Sequence, residues 1–266
     1  MLPFQVAGRI LGHAPTAFGP SGSTSAVDGT SSGAGLRFAI VVFPGSNCER
    51  ETHYVLTDVF GQDAEIVSHE ETDLAGYDCI VLPGGFAHGD HLRAGAIARF
   101  SPIMRSVEHF ARTDRLVWGI CNGFQVLTEA GLLPGAMLPN AGGSFVCDWV
   151  HCRVEPARTP FTDGIEPGRV LRLPIAHGEG RFYAPPDVLA QLERRDQIVL
   201  RYCSANGELT PDANPNGAVA AVAGLCNEGG NVFALMPHPE RASESELGSQ
   251  DGRVLFEALL GSYALA

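Results

Sequence analysis

The chain has 266 residues, 45% hydrophobic and 18% charged, enough for one large globular domain or two small ones, with a single α/β domain the simpler expectation. A formal net charge of −12 without any basic cluster excludes a general affinity for nucleic acid or an anionic membrane, because both need Lys or Arg to neutralise phosphate. All 18 positive residues are arginine, which excludes Schiff-base chemistry and the lysine-containing phosphate loop as well.

Residues 1–35 are small, polar and without periodicity, as in Gly29-Thr30-Ser31-Ser32-Gly33, and read as a disordered extension before a domain over 36–266. The segment from Met1 to His13 lacks the positive start and continuous apolar core of a secretory signal. An organellar transit peptide, or translation beginning near Leu36, stay open as other readings of it. From Arg37 onward, apolar strands alternate with helical segments. Phe38–Phe43 reads as a buried strand, followed by a Pro44-Gly45-Ser46-Asn47 loop and an amphipathic helix through Phe60. Strands are predicted at Glu65–Val67, Cys79–Leu82 and from Leu116, with a helix over Ala96–Phe110. After Gly131 the pattern turns strand-rich: Val150–Val154, Val170–Leu173, Ile198–Tyr202, Ala218–Ala223 and Val232–Met236, before a closing helix over Arg253–Leu260. Short continuous apolar runs separated by helices indicate a doubly wound α/β fold with a mostly parallel sheet covered on both faces.

The seven cysteines are scattered and never form a C-x-x-C pair, so the spacing suggests neither a zinc site nor a disulfide framework, and the expected metal complement is none. Several lie in apolar runs, which suits reduced core thiols in a cytoplasmic protein. No apolar run approaches the length that spans a bilayer.

One cysteine stands apart. The strand Leu116–Ile120 runs into Cys121, and Asn122–Leu127 reads as a helix, so Gly119-x-Cys121-x-Gly123 is the cysteine form of a nucleophile elbow. An adjacent helix N-terminus favours thiolate and offers the free Asn122 N–H to an oxyanion. Gly85, in Pro83-Gly84-Gly85 at the end of its own strand, is the natural second donor, because glycine lets the backbone turn its N–H inward. A base and its orienting group are available in Pro237-His238-Pro239-Glu240: flanking prolines favour extended chain, which places His238 and Glu240 on one side. Taken alone, each of these segments also reads as an ordinary core cysteine or turn.

Together, Gly119-Ile120-Cys121-Asn122-Gly123-Phe124-Gln125 and Pro237-His238-Pro239-Glu240-Arg241 resemble the Cys-His-Glu triad of class I glutamine amidotransferases, a family with a flavodoxin-like sheet. Further segments, Phe43-Pro44-Gly45-Ser46-Asn47-Cys48, Gly89-Asp90-His91-Leu92-Arg93, Ala176-His177-Gly178-Glu179-Gly180 and Asn214-Pro215-Asn216-Gly217, resemble the branch that serves phosphoribosylformylglycinamidine synthase. The resemblance runs from Arg37 to the C-terminus and implies an amidotransferase type 1 domain over 36–266. It implies that Cys121 attacks the side-chain amide of glutamine, that His238 carries protons, and that Glu240 holds His238. It also implies that Gln125 faces the substrate and that His177 and Gly178 line its pocket. No cofactor is implied for this chain: ATP and magnesium would be used by a partner synthetase large subunit, with a small accessory subunit, to make formylglycinamidine ribonucleotide in purine biosynthesis. The chain departs from the family at Ala87-His88-Gly89-Asp90-His91, where Ser-Tyr-Gly-Asp-Tyr is common. The competing readings are another elbow-cysteine hydrolase or glyoxalase- or chaperone-like protein, and a non-catalytic domain that docks a synthetase. The first does not predict Pro-His-Pro-Glu together with Gln125, and the intact triad argues against the second.

Overall fold

The computed structural model describes residues 35–264, so the extension expected over 1–35 falls, except for Gly35, outside the described residues. In chain order the strands are β1 (Arg37–Val42), β2 (Asp63–Ser68), β3 (Cys79–Leu82), β4 (Leu116–Ile120), β5 (Ala136–Leu138), β6 (Val146–Val154), β7 (Val170–His177), β8 (Arg181–Tyr183), β9 (Ile198–Cys203), β10 (Val222–Cys226) and β11 (Val232–Leu235). The α-helices are α1 (Glu49–Tyr54), α2 (Pro102–Ala111), α3 (Asn122–Glu129), α4 (Pro186–Arg194) and α5 (Arg253–Ala264).

Nine strands form one sheet in the order β2-β1-β3-β4-β11-β10-β9-β6-β7. The first five are mutually parallel, the doubly wound part. The other four each run antiparallel to their neighbour. Burial explains the two halves. Every residue of β3, β4 and β11 is buried, as strands covered on both faces must be, whereas β7 alternates half-buried and buried residues because one face looks outward. Trp118 on β4 anchors the core between Phe161, Phe233 and Phe256, with ring centroids 4.7–6.2 Å away.

The predicted helix over Ala96–Phe110 is interrupted. Pro102 holds Ser101 extended (φ −61°, ψ 146°), so a short 3₁₀ turn over Ala98–Phe100 stops there and α2 begins with Pro102 in its first turn. The helix predicted through Phe60 leaves α geometry after Tyr54 and finishes as a π turn over Val55–Val59. The strand predicted over Ala218–Ala223 starts only at Val222, because Ala220 and Ala221 take left-handed φ of 51° and 55°. Sequence patterning also missed α4, which buries only Leu192, and the separate β5–β8 pair, whose strands have three residues each. No helix among the described residues is long and apolar enough to cross a membrane.

Candidate active site

Parallel register brings four loops to one edge of the sheet. Leu82 pairs with Gly119 and Ile120 with Leu235, so the chain leaves β3, β4 and β11 side by side at Pro83, Cys121 and Met236. The Cys121 N–H continues the ladder to the Leu235 carbonyl at 2.8 Å. The loop after β1 joins them through an isolated bridge between Ser46 and Gly85. Carboxyl ends of parallel strands are where open α/β sheets collect their reactive groups.

Cys121 sits at φ 50°, ψ −102°, a left-handed backbone for a residue with a Cβ. Such strain costs on the order of 1–3 kcal/mol and persists only where the surroundings impose it. Here the two glycines of the elbow impose it. A Cβ on Gly123 would stand 2.0 Å from the Leu82 carbonyl oxygen, and one on Gly119 would stand 2.8 Å from the Gly123 carbonyl carbon, so only glycine lets α3 start this close to β3 and β4. The thiol is buried, lines a cavity of about 200 Å³, and lies 3.9 Å from the Ala176 carbonyl.

His238 lines the same cavity. Its Nδ1 and Glu240 Oε1 are 2.6 Å apart, and both residues are only 2% exposed. The segment is not extended throughout, as proline placement predicts: His238 is (φ −105°, ψ 92°), but Pro239–Ala242 forms a 3₁₀ turn that folds Glu240 back under the imidazole. Burial by itself depresses the His238 pKa. The Glu240 carboxylate, and after it the Cys121 thiol, outweigh burial and hold it well above the usual histidine range.

Gly85 lines the cavity with φ 145°. The Gly84 carbonyl accepts from the Asn47 and Cys48 N–H groups at 3.3 and 3.2 Å, and because the peptide is planar and trans, the Gly85 N–H points away from them. Asn122 opens α3, where the first N–H groups have no intrahelical acceptor. Its buried side chain knits the site together: Oδ1 accepts from Ala87 N–H at 3.0 Å, while Nδ2 donates to Gln125 Oε1 at 2.8 Å and to Asp90 Oδ1 at 3.3 Å.

The residues implied by resemblance as substrate contacts are placed differently. Gln125 is 4% exposed and absent from the Cys121 cavity wall. Both ends of its amide are engaged, Oε1 by Asn122 and Nε2 by the Glu179 carbonyl at 2.7 Å, so in this structure it braces Asn122. His177 is also buried behind the wall, with Nδ1 3.1 Å from Asn140 Oδ1, and its pKa is pushed down to about 4 by burial and by the charge on His238. The Gly178 carbonyl accepts from Asn140 N–H at 2.9 Å. From this part of the chain it is Ala176 that reaches the cavity.

Sequence reasoning assigned no role to Cys48, Phe86, Phe145 or Arg241, all of which line the cavity. Phe86 and Phe145 face one another across its mouth, ring centroids 6.5 Å apart, each about half exposed. Arg241 donates from Nη2 to Cys48 Sγ at 3.2 Å and from Nε to Glu51 at 3.1 Å. Cys48 and Arg241 are the last residues of the Phe43–Cys48 and Pro237–Arg241 segments that carry the resemblance, and that membership was the only signal for them.

A doubly wound sheet carrying a cysteine elbow beside a buried His-Glu pair marks the class as glutamine amidotransferase. A family model described as a CobB/CobQ-like glutamine amidotransferase domain matches residues 35–252. The subunits PurQ of phosphoribosylformylglycinamidine synthase from Moorella thermoacetica and Aquifex aeolicus are 55% and 53% identical over 225 residues each, 85% of this chain and 95% and 99% of theirs. A chain in the structure of PurLQS from Thermotoga maritima superposes with a TM-score of 0.76 at 42% identity, covering 86% of this chain and 99% of that one. The chain belongs to this PurQ family of glutamine amidotransferases.

Proposed function

We infer that this chain hydrolyses glutamine at Cys121 and hands the ammonia to a synthetase subunit that converts formylglycinamide ribonucleotide to formylglycinamidine ribonucleotide. The observation that carries the reading is the strained, cavity-facing Cys121 beside the His238–Glu240 pair.

The steps follow from the chemistry of these groups. The Cys121 thiolate attacks the side-chain amide carbon of glutamine, and negative charge builds on the amide oxygen. Asn122 N–H, with the α3 dipole behind it, and Gly85 N–H are the two donors that meet that charge. Imidazolium His238 gives its proton to the departing nitrogen, the C–N bond breaks, and ammonia leaves a glutamyl thioester on Cys121. Neutral His238 then takes a proton from water as the oxygen attacks the thioester. Collapse releases glutamate and returns the thiolate with His238 protonated. Glu240 accepts from His238 Nδ1–H throughout, which orients the ring and favours its charged form. Gln125 and Asp90 act indirectly, by fixing Asn122.

The same reading has the chain work with a synthetase large subunit that uses ATP and magnesium, and with a small accessory subunit, as the resemblance implies. The Thermotoga maritima relative being part of PurLQS supports this. An electrophilic glutamine analogue is expected to label Cys121 alone among the seven cysteines. Mass mapping of the label to another cysteine, or no label in the assembled complex, overturns the assignment.

A further inference from the structure

Cys48 is 1% exposed, lines the Cys121 cavity, and takes part in no step above. Its Sγ, one ring nitrogen of His238 and one carboxylate oxygen of Glu240 lie within 4.8 Å of one another. These three donors come from residues 48, 238 and 240, joined only by the folding of the β1 and β11 loops onto the same edge. Gly84 keeps the space between them open. A Cβ there would stand 2.9 Å from Cys48 Sγ and 2.7 Å from His238 Cε1. Glu240 Oε2, a buried carboxylate oxygen at the same place, has no hydrogen-bond partner among the described residues. Native proteins rarely leave such atoms unmatched.

Thiolate, imidazole and carboxylate are the ligand types of zinc. With bonds of about 2.0–2.3 Å, the ligand atoms of a tetrahedral site stand roughly 3.3–3.8 Å apart, so Cys48 Sγ has at most roughly 1–1.5 Å to close, while His238 Nδ1 and Glu240 Oε1, 2.6 Å apart as a hydrogen bond, open slightly to take the ion in place of the proton between them. We propose that Cys48, His238 and Glu240 form an inhibitory binding site for a zinc-type divalent ion within the glutaminase centre. As the ion binds, the Cys48 thiol and the His238 imidazolium each release a proton to solvent; His238 then gives its Nδ1 lone pair, Glu240 gives a carboxylate oxygen, and water fills the fourth position. No electron changes hands. An imidazole held by the ion can no longer shuttle a proton, and hydrolysis stops with the fold intact. The inhibition rests on His238 acting as proton carrier, whereas the binding does not.

Cobalt(II), which reports thiolate ligation by its near-ultraviolet absorption, is the probe for the full-length chain. A Cys121→Ser chain, lacking the nucleophile thiol, is expected to bind one cobalt ion with that absorption, and zinc is expected to displace it. Adding Cys48→Ser should abolish the band. Should that variant fold poorly by thermal melting, Glu240→Gln in the Cys121→Ser chain should still weaken binding at least about tenfold. In the assembled complex with intact Cys121, zinc should suppress glutamine-dependent synthesis, and a chelator should restore it. No cobalt band in Cys121→Ser, or an unchanged band after Cys48→Ser, overturns the proposal. Both results are independent of whether Cys121 is labelled by a glutamine analogue, so failure here leaves the glutaminase reading standing and failure there leaves the metal site standing.

Discussion

A methyl group on Gly84 would stand 2.7 Å from Cε1 of His238, so the backbone after β3 packs directly on the imidazole after β11. Gly84 has no positive φ, and alanine is compatible with its backbone. The cost of Gly84→Ala therefore falls on the ring. The imidazole must shift by several tenths of an ångström, and Cys48 Sγ, 2.9 Å from the same added carbon, blocks one way out. We expect kcat/KM for glutamine to fall on the order of 10²-fold while the thermal melt changes little, because misplacement of this size is costly in catalysis. Steady-state kinetics beside a melting curve check it. A large drop in melting temperature with normal kinetics would place the strain elsewhere.

Glu240→Gln keeps the shape of the side chain and removes its charge. The carboxylate is the largest influence raising the His238 pKa against burial, so without it the pKa falls. The limb of the pH–rate profile that reports imidazolium should move to lower pH, and kcat should drop by roughly 10²–10⁴-fold. A profile at unchanged pH would show that Glu240 does not set the charge of His238.

Asp90 offers a stability test with a definite sign. Burial first, and then the charge of Glu179, push its pKa up to about 6. That lies above the roughly 3.9 of a free aspartate. The folded chain therefore holds the proton longer than the unfolded one: this contribution to stability is full below the free value and is lost as pH rises through about 6. Asp90→Asn should be more stable than the parent by about 1 kcal/mol at about pH 8, allowing for solvent screening at a half-buried site. Near pH 4 the difference should vanish, and urea melts at the two pH values check both statements.

Cys121→Ala should abolish glutamine-dependent synthesis by the assembled complex and leave ammonia-dependent synthesis intact. Equal loss of both activities would give Cys121 a role in folding or docking instead.

The elements legible in the sequence were those whose burial leaves a simple mark. The apolar runs Cys79–Leu82 and Leu116–Ile120 are strands covered on both faces, and their observed bounds follow the runs. The elbow was legible because crowding on both sides of Cys121 admits only glycine. Elements with little apolar surface left no such mark: α4 buries one residue, and β5 and β8 are too short for a period to show. The Ala96–Phe110 pattern was truly helical in period, but proline geometry at residue 102 overrode it. Gln125 was placed on the correct helix, yet whether its amide met substrate or Asn122 depended on the loop carrying Glu179, 54 residues away.

The sequence by itself determined the chemistry on offer: a thiol at a forced bend, an imidazole and a carboxylate two residues apart, glycines where backbone must turn, and no lysine. These follow from local sterics and side-chain identity, which act over a few residues. Only the tertiary structure decided which groups meet. Strand order and register set β4 between β3 and β11, and this puts Cys121 beside His238 across 117 residues of chain. The same packing brings Cys48 against His238 and Asp90 against Asn122. Such meetings depend on long-range pairing and on burial that shifts pKa values, and neither is written in any short stretch of residues.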